Sequence, residues 1–316
     1  MVTRETWRQG VSTGVATTYK LGKVIFPITL IVTILQHTPL LSWIVRMFEP
    51  MMGMFGLPGD AAVVLVLGNL LNLYAAIGAM FTMALQVKQV FILAIMLSFS
   101  HSLPIETAIA SKIGVKSWIF ITVRLGLAVV SGLLIHLLWN GGGEMAQYGM
   151  VPQQQAVDGW FSIFLLGVKT ACLAIVQLAI IVIPLMLGIQ LLKDLKVLPY
   201  LARKLTPFTR LLGVSENTGV TFIAGLTFGI AYGAGVIIQA AKEDNLSRKD
   251  LYLTAIFLVA CHAVVEDTLL FVPLGINVLY LLLLRVIGAF AITVLTARIW
   301  SLVEARSRQA KREQML

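Results

Sequence analysis

The chain has 316 residues, 58% of them hydrophobic and 12% charged, with a mean hydropathy of +0.90 and a net charge of +9. A soluble domain of this size has too little interior to hide so much apolar surface, so lipid is its solvent. The basic residues sit in loops and tails, where they set membrane topology, which argues against nucleic acid as a partner.

Residues 1–23 carry Arg4, Arg8, Lys20 and Lys23 and lack the short apolar core and cleavage site of a signal peptide. They are expected to form a cytoplasmic N-terminal segment. A spanning helix needs about 20 mostly apolar residues. Six such stretches follow, near residues 24–46, 89–111, 117–139, 161–191, 251–272 and 277–299. Two further apolar stretches are interrupted. Residues 47–87 are broken by Gly56-Leu57-Pro58-Gly59-Asp60, and residues 204–241 by Gly213-Val214-Ser215-Glu216-Asn217. Breaks of this composition predict re-entrant hairpins, which enter and leave on one side. A loop at 140–160 contains no Lys or Arg and is expected on the external side. The basic tail at 300–316 is expected to lie on anionic lipid. Cys172 and Cys261 both fall in apolar segments and form no CxxC pair. Cys172 reads as a small buried hydrophobe.

If the hairpins do not cross, Lys112, Lys116, Lys193, Lys196, Arg203, Lys204, Arg210, Lys242, Arg248, Lys249 and the tail share the side of the N-terminus. Arg46 and Lys88 dissent. The positive-inside rule then places both termini in the cytoplasm. The expected fold is an all-α polytopic membrane protein with both termini in the cytoplasm of a bacterial cell, in the inner membrane.

The chain repeats itself. An offset of 157 residues pairs Gly56 with Gly213, Gly68 with Gly225, Asp60 with Asn217 and Gly78 with Gly235. After a four-residue insertion in a polar loop, an offset of 161 pairs His101 with His262, Glu106 with Asp267, Thr107 with Thr268 and Arg124 with Arg285. Each repeat, 24–139 and 161–299, reads as one helix, one hairpin and two helices. Three crossings are odd, so the second repeat is expected to be inverted. Inverted repeats with broken helices at the midplane are a secondary-transporter signature.

Two constellations carry chemistry. Ser100 to Thr107 reads SHSLPIET, and Cys261 to Thr268 reads CHAVVEDT. Each sets a histidine, a carboxylate and a threonine within one or two turns inside an expected span. A charge there costs several kcal/mol, roughly 2.5 or more, and persists where it meets a cavity, a partner or an ion. His101, Glu106, Thr107, His262, Glu266, Asp267 and Thr268 are the candidate solute or ion ligands; a buried network locking helices together is the plainer reading. Pro104 is expected to break the first copy and has no counterpart before Pro273. Glu266 and Asp267 point about 100° apart on a helix, so one can face the site while the other meets Arg285. Arg124 and Arg285 are expected in structural ion pairs or on hairpin carbonyls. In the hairpins, Asn69 and Asn72 join Tyr74, Thr227 and Tyr232 as neutral hydrogen-bonding groups. Asp60, Ser215 and Asn217 suit helix N-caps, and Glu216 adds a carboxylate at the second tip. No Walker loop, dinucleotide fingerprint or Ser/His/Asp signature occurs, so no enzyme is expected. No cofactor is implied beyond a coupling Na⁺ or H⁺.

The stretch NLYAAIGA followed by SHSLPIET, and GLTFGIAYGAGV with CHAVVEDTLLF, resembles the gate-domain family, also called nucleoside-recognition domain proteins. The resemblance runs from about residue 20 to 300. It takes in the spore maturation proteins A and B, the membrane gates of ferrous-iron permeases and the core of concentrative nucleoside transporters. It implies an inverted-repeat transporter fold, and a homodimer or a paired homologous membrane subunit as partner. The Gln/Thr/Glu group of the nucleoside transporters is not found in the first hairpin, although Glu106 and Thr107 correspond to its helix portion.

Three readings follow: a secondary transporter of a small polar, nucleoside-like solute coupled to H⁺ or Na⁺; a divalent-metal permease using Cys261, His262, Glu266 and Asp267 as a mixed ligand set; and a membrane scaffold or assembly factor that transports nothing.

Overall fold

The computed structural model describes residues 3–151, 159–195, 197, 200, 204, 206–243 and 246–313. Among them the secondary structure is helical, apart from an isolated antiparallel bridge between Gln86 and Met145. Apolar side chains face lipid or protein all round, and a helix satisfies its own backbone without water, so helix is the form such a sequence takes.

In chain order the helices are α1 (Arg4–Gln36), α2 (Pro39–Gly53), α3 (Ala61–Leu70), α4 (Leu73–Met80), α5 (Val87–Ser100), α6 (Leu103–Lys112) and α7 (Ser117–Leu138). There follow α8 (Trp160–Asp194), α9 (Thr206–Leu212), α10 (Gly219–Glu243), α11 (Arg248–Ala260), α12 (Val264–Leu269) and α13 (Val278–Glu313). Six stretches are long and apolar enough to cross a membrane: α1, Val87–Lys112, α7, α8, Arg248–Leu269 and α13. The chain is an all-α polytopic membrane protein.

Burial sorts these six. The apolar windows of Val87–Lys112 and Arg248–Leu269 are 78% and 83% buried, against 22% to 28% for the other four. The two central stretches are wrapped in protein, while α1, α7, α8 and α13 turn apolar faces outward, such as Leu134, Leu137 and Leu138 on α7. An outward apolar face of this extent suits lipid or a packed partner, not water.

Several boundaries differ from expectation. α1 begins at Arg4, so most of the expected N-terminal segment is helix, capped by Thr3 in a capping box with Thr6. Its 33 residues rise about 50 Å, well beyond a hydrocarbon core of about 30 Å. The extra turns are held by α8. Gly10 and Gly14 leave room for Leu187 and Ile183, whose Cα atoms would lie 2.9 and 2.8 Å from an added Cβ. The span expected to reach residue 46 ends at Gln36, because Pro39 sits at the start of a new helix after Thr38. The tail continues the last span as a single helix through Glu313. Nothing between Gly288 and Glu313 is a glycine or proline that would end it. Cys172 is exposed on α8, at lipid depth, whereas Cys261 is buried.

The chain gathers into two compact units. The first is drawn from Met1–Pro104, Arg124–Val197 and Val265–Leu283; the second from Ile105–Val123, Leu198–Val264 and Leu284–Leu316. The units do not follow the repeats. Most of α6, which carries Glu106, groups with the second repeat, and most of α12, which carries Glu266 and Asp267, groups with the first.

Within the first unit the segment after α7 is ordered. Val87 N–H donates to Glu144 O (2.9 Å), Lys88 N–H to Gly142 O (2.9 Å) and Ala146 N–H to Leu85 O (2.9 Å). Gln177 of α8 accepts from Met150 N–H (2.6 Å) and donates to Tyr148 O (3.1 Å) and Pro273 O (3.4 Å). One buried amide thereby ties this strap to α8 and to the turn after α12.

Candidate functional site

The polar centre of each unit is a helix break. In the first unit α5 ends at Ser100 and His101 adopts extended backbone, φ −61° and ψ 159°. Ser102 then takes φ 53°. In the second unit α11 ends at Ala260, and Ala263 takes φ 42°. Positive φ at a residue with a Cβ costs of order 1–3 kcal/mol and persists only where the surroundings impose it. Here they do so twice, at positions 161 residues apart.

The surroundings correspond in the two units. Ser102 N–H donates to Gly68 O (2.9 Å), and Ala263 N–H donates to Gly225 O (3.0 Å). Both glycines face a leucine, Leu97 and Leu258 respectively, so close that a Cβ would collide. The freed carbonyls are taken by arginine. Arg124 Nη2 donates to His101 O (2.6 Å) and its Nε to Phe99 O (2.7 Å). Arg285 Nη2 donates to His262 O (2.7 Å). Both guanidinium groups are fully buried. The sequence anticipates ion pairs or hairpin carbonyls for these arginines; the bonds described go to carbonyls of the broken helix itself. A guanidinium fork spans two carbonyls of one helix end where a lysine reaches one. Pro104 is not the cause of the break, because the second copy breaks at the same place without a proline.

The chain also breaks between α3 and α4 and within α10. Between α3 and α4, Leu71 and Asn72 leave helical geometry, and Asn72 accepts from Ala75 N–H (3.0 Å) as the N-cap of α4. In α10 the residue at the matching offset of 157 is Gly229, with φ 74° and ψ 176°. That region is open almost only to glycine. A Cβ there would lie 3.1 Å from Ala263 Cβ. In the second unit the break in α10 and the break between α11 and α12 are therefore neighbours.

The carboxylates enter at these breaks. In the second unit His262 Nε2 lies 3.3 Å from Glu106 Oε1, with both side chains buried. His262 Nδ1 is 2.8 Å from Leu258 O. A carbonyl only accepts, so Nδ1 carries the proton of that bond. The Nε2–Oε1 contact is close enough for the two groups to exchange a proton. His101 has the same ring bond, Nδ1 to Leu97 O at 2.7 Å. In the first unit Tyr74 of α4 donates its hydroxyl to Glu266 of α12. Asp267, the counterpart of Glu106, is buried in that unit too, as are Glu266 and Thr268.

The helices are thus discontinuous and duplicated, with buried acids and histidines at their breaks. The Gate family, described as nucleoside recognition, matches residues 18–116 and 175–276. The chain belongs to this family. The two matched segments start 157 residues apart (175 − 18), the offset of the internal repeat. The uncharacterized membrane protein YvoD of Bacillus subtilis (strain 168) is 53% identical over 292 residues, covering 92% of this chain and 94% of that protein. No solved structure matches the chain.

The remaining expected site residues of this Gate protein divide. Asn69 Oδ1 and Thr107 Oγ1 are buried oxygens without a hydrogen-bond partner among the described residues. Asn72 is occupied as a cap. Asp60 precedes α3 but makes no side-chain capping bond. Ser215 Oγ accepts from Asn217 N–H (3.3 Å), and Asn217 itself is exposed. The side chain of Glu216 lies outside the described residues. Of the expected mixed metal ligands, Cys261 and His262 group with the second unit, whereas Glu266 and Asp267 group with the first. Sequence reasoning noted Tyr74 only as a hydrogen-bonding group of the first hairpin. Its role opposite Glu266 had no local signal, because 192 residues separate them.

Proposed function

We propose that this Gate protein is a secondary transporter of a small polar solute, nucleoside-like by the description of its family, coupled to protons. The observation that carries the reading is the buried Glu106–His262 pair at a helix break. The break brings a buried acid and a buried imidazole together, a pair that can exchange a proton beside a solute bound at the break. Between the two coupling ions an acid–imidazole pair favours H⁺ over Na⁺, because both groups can carry a proton. A network that served only to lock helices has no use for an unpartnered amide oxygen at Asn69 or hydroxyl at Thr107, whereas a solute does.

In this reading α2 with α3–α4, and α9 with α10, are re-entrant hairpins. The repeats are inverted, and both termini lie in the cytoplasm of a bacterial cell whose inner membrane the chain spans. The basic loops support that orientation. A second copy or a homologous membrane subunit is the expected partner. No reaction is catalysed.

Purified protein in liposomes, given an inward proton gradient, should accumulate a radiolabelled nucleoside or nucleobase, and a protonophore should abolish this. A thermal-stability screen crossing nucleosides, nucleobases, amino acids, dipeptides and divalent cations with Na⁺ and pH would identify the solute. A ligand at 100 times its dissociation constant adds about 2.7 kcal/mol. Uptake unchanged in the combined Glu106→Gln, Glu266→Gln, Asp267→Asn variant would sink the proposal.

A further inference from the structure

The second unit carries a groove of about 580 Å³ between the tip of its hairpin and α13. Leu211, Leu212, Val294 and Leu302 give it apolar walls, and Lys249 and Arg298 are its two charged lining residues. Neither cation is ion-paired among the described residues. Among the described residues the nearby carboxylates, Asp250 and Glu304, are engaged elsewhere. Asp250 accepts from Ser215 N–H (2.7 Å) and from the Ser247 hydroxyl (2.6 Å), and Glu304 accepts from Trp300 Nε1 (2.8 Å).

The depth of the groove follows from the chain. Lys249 opens the span Arg248–Leu269, and Arg298 lies 20 residues (298 − 278) along α13 from Val278. Twenty residues rise about 30 Å, one hydrocarbon thickness. Both cations therefore sit where a span meets the headgroups, and the apolar walls extend from there. Tyr252 and Trp300 stack alongside with ring centroids 5.6 Å apart, the residue types that settle at that level.

We propose that this groove binds an anionic phospholipid, its headgroup phosphate between Lys249 and Arg298 and an acyl chain along Leu211, Val294 and Leu302. Two cations at a membrane interface with no paired anion among the described residues match a phosphodiester, and the apolar walls match a chain that a free phosphate lacks.

Native mass spectrometry of the full-length protein in mixed micelles of phosphatidylglycerol and phosphatidylcholine tests this. Wild type should retain phosphatidylglycerol in preference, on the order of tenfold for two cations. Lys249→Gln with Arg298→Gln should lose that preference. Lys249→Arg with Arg298→Lys, and the charge-matched control Lys112→Gln with Arg306→Gln, should keep it. Equal retention of the two lipids by wild type overturns the proposal, and that arm needs no variant to fold. Equal loss in the control pair also overturns it, since general surface charge would then suffice. Inorganic phosphate that displaces the phosphatidylglycerol at millimolar concentration would overturn the role of the acyl chain.

Discussion

Glu106, from the first repeat, lies 3.3 Å from His262, from the second. His262 commits its Nδ1 proton to Leu258 O, so the pair can exchange a proton through Nε2. Glu106→Gln keeps a donor opposite Nε2 and removes that exchange. Its stability should stay within about 1 kcal/mol of wild type. Proton-driven uptake should fall at least about tenfold, the loss expected when a proton-transfer group goes. Liposome uptake beside a thermal melt checks both, and undiminished uptake would remove the pair from the mechanism.

Arg124 and Arg285 cap helices rather than decorate them. Hydrogen bonds to charged groups contribute about 1.5–3 kcal/mol each. Arg124→Lys gives up the fork to Phe99 O and His101 O, and should cost about 3 kcal/mol. Arg124→Met should be worse, leaving both carbonyls without the guanidinium. Unfolding midpoints in detergent read the difference, and an unchanged midpoint for Arg124→Met would show that the carbonyls find other partners.

The two hairpin breaks differ in kind and should respond differently. Gly229→Ala forces a Cβ into a conformation nearly reserved for glycine and should cost about 1–3 kcal/mol. Asn72→Ala loses only a cap on Ala75, about 1 kcal/mol. The ranking is the prediction, and chemical or thermal unfolding of the two variants side by side decides it.

Gln177→Leu removes three bonds at once, to Met150, Tyr148 and Pro273. Stability should drop by about 2–3 kcal/mol. The strap should loosen first, so hydrogen exchange at Tyr148 to Val151 should accelerate before that of α8. Uniform acceleration across the unit would mean that the amide holds the whole unit and not the strap.

Much of this was legible in one dimension. Hydropathy located the six membrane-length stretches, because lipid tolerates little else. The offset of 157 then 161 located the paired histidines, acids and arginines, and Gly56 and Gly213, paired by that offset, both take positive φ. The breaks at Ser102 and Ala263 were not legible. Neither residue favours positive φ, and the conformation is imposed by Gly68, Gly225 and the arginines, which are distant in sequence. Pro104 pointed to nearly the right place for the wrong reason.

Composition and periodicity by themselves determined that this chain lives in lipid, that it is helical and that it is duplicated. Those properties depend on residue type and spacing, which each local stretch carries within itself. Tertiary structure alone decided which acid meets which partner. Glu106 joins His262 and Glu266 joins Tyr74, so each repeat supplies a carboxylate to a unit built mainly from the other. A buried charge takes the partner that three-dimensional packing brings to it, and no pattern within one repeat encodes that exchange.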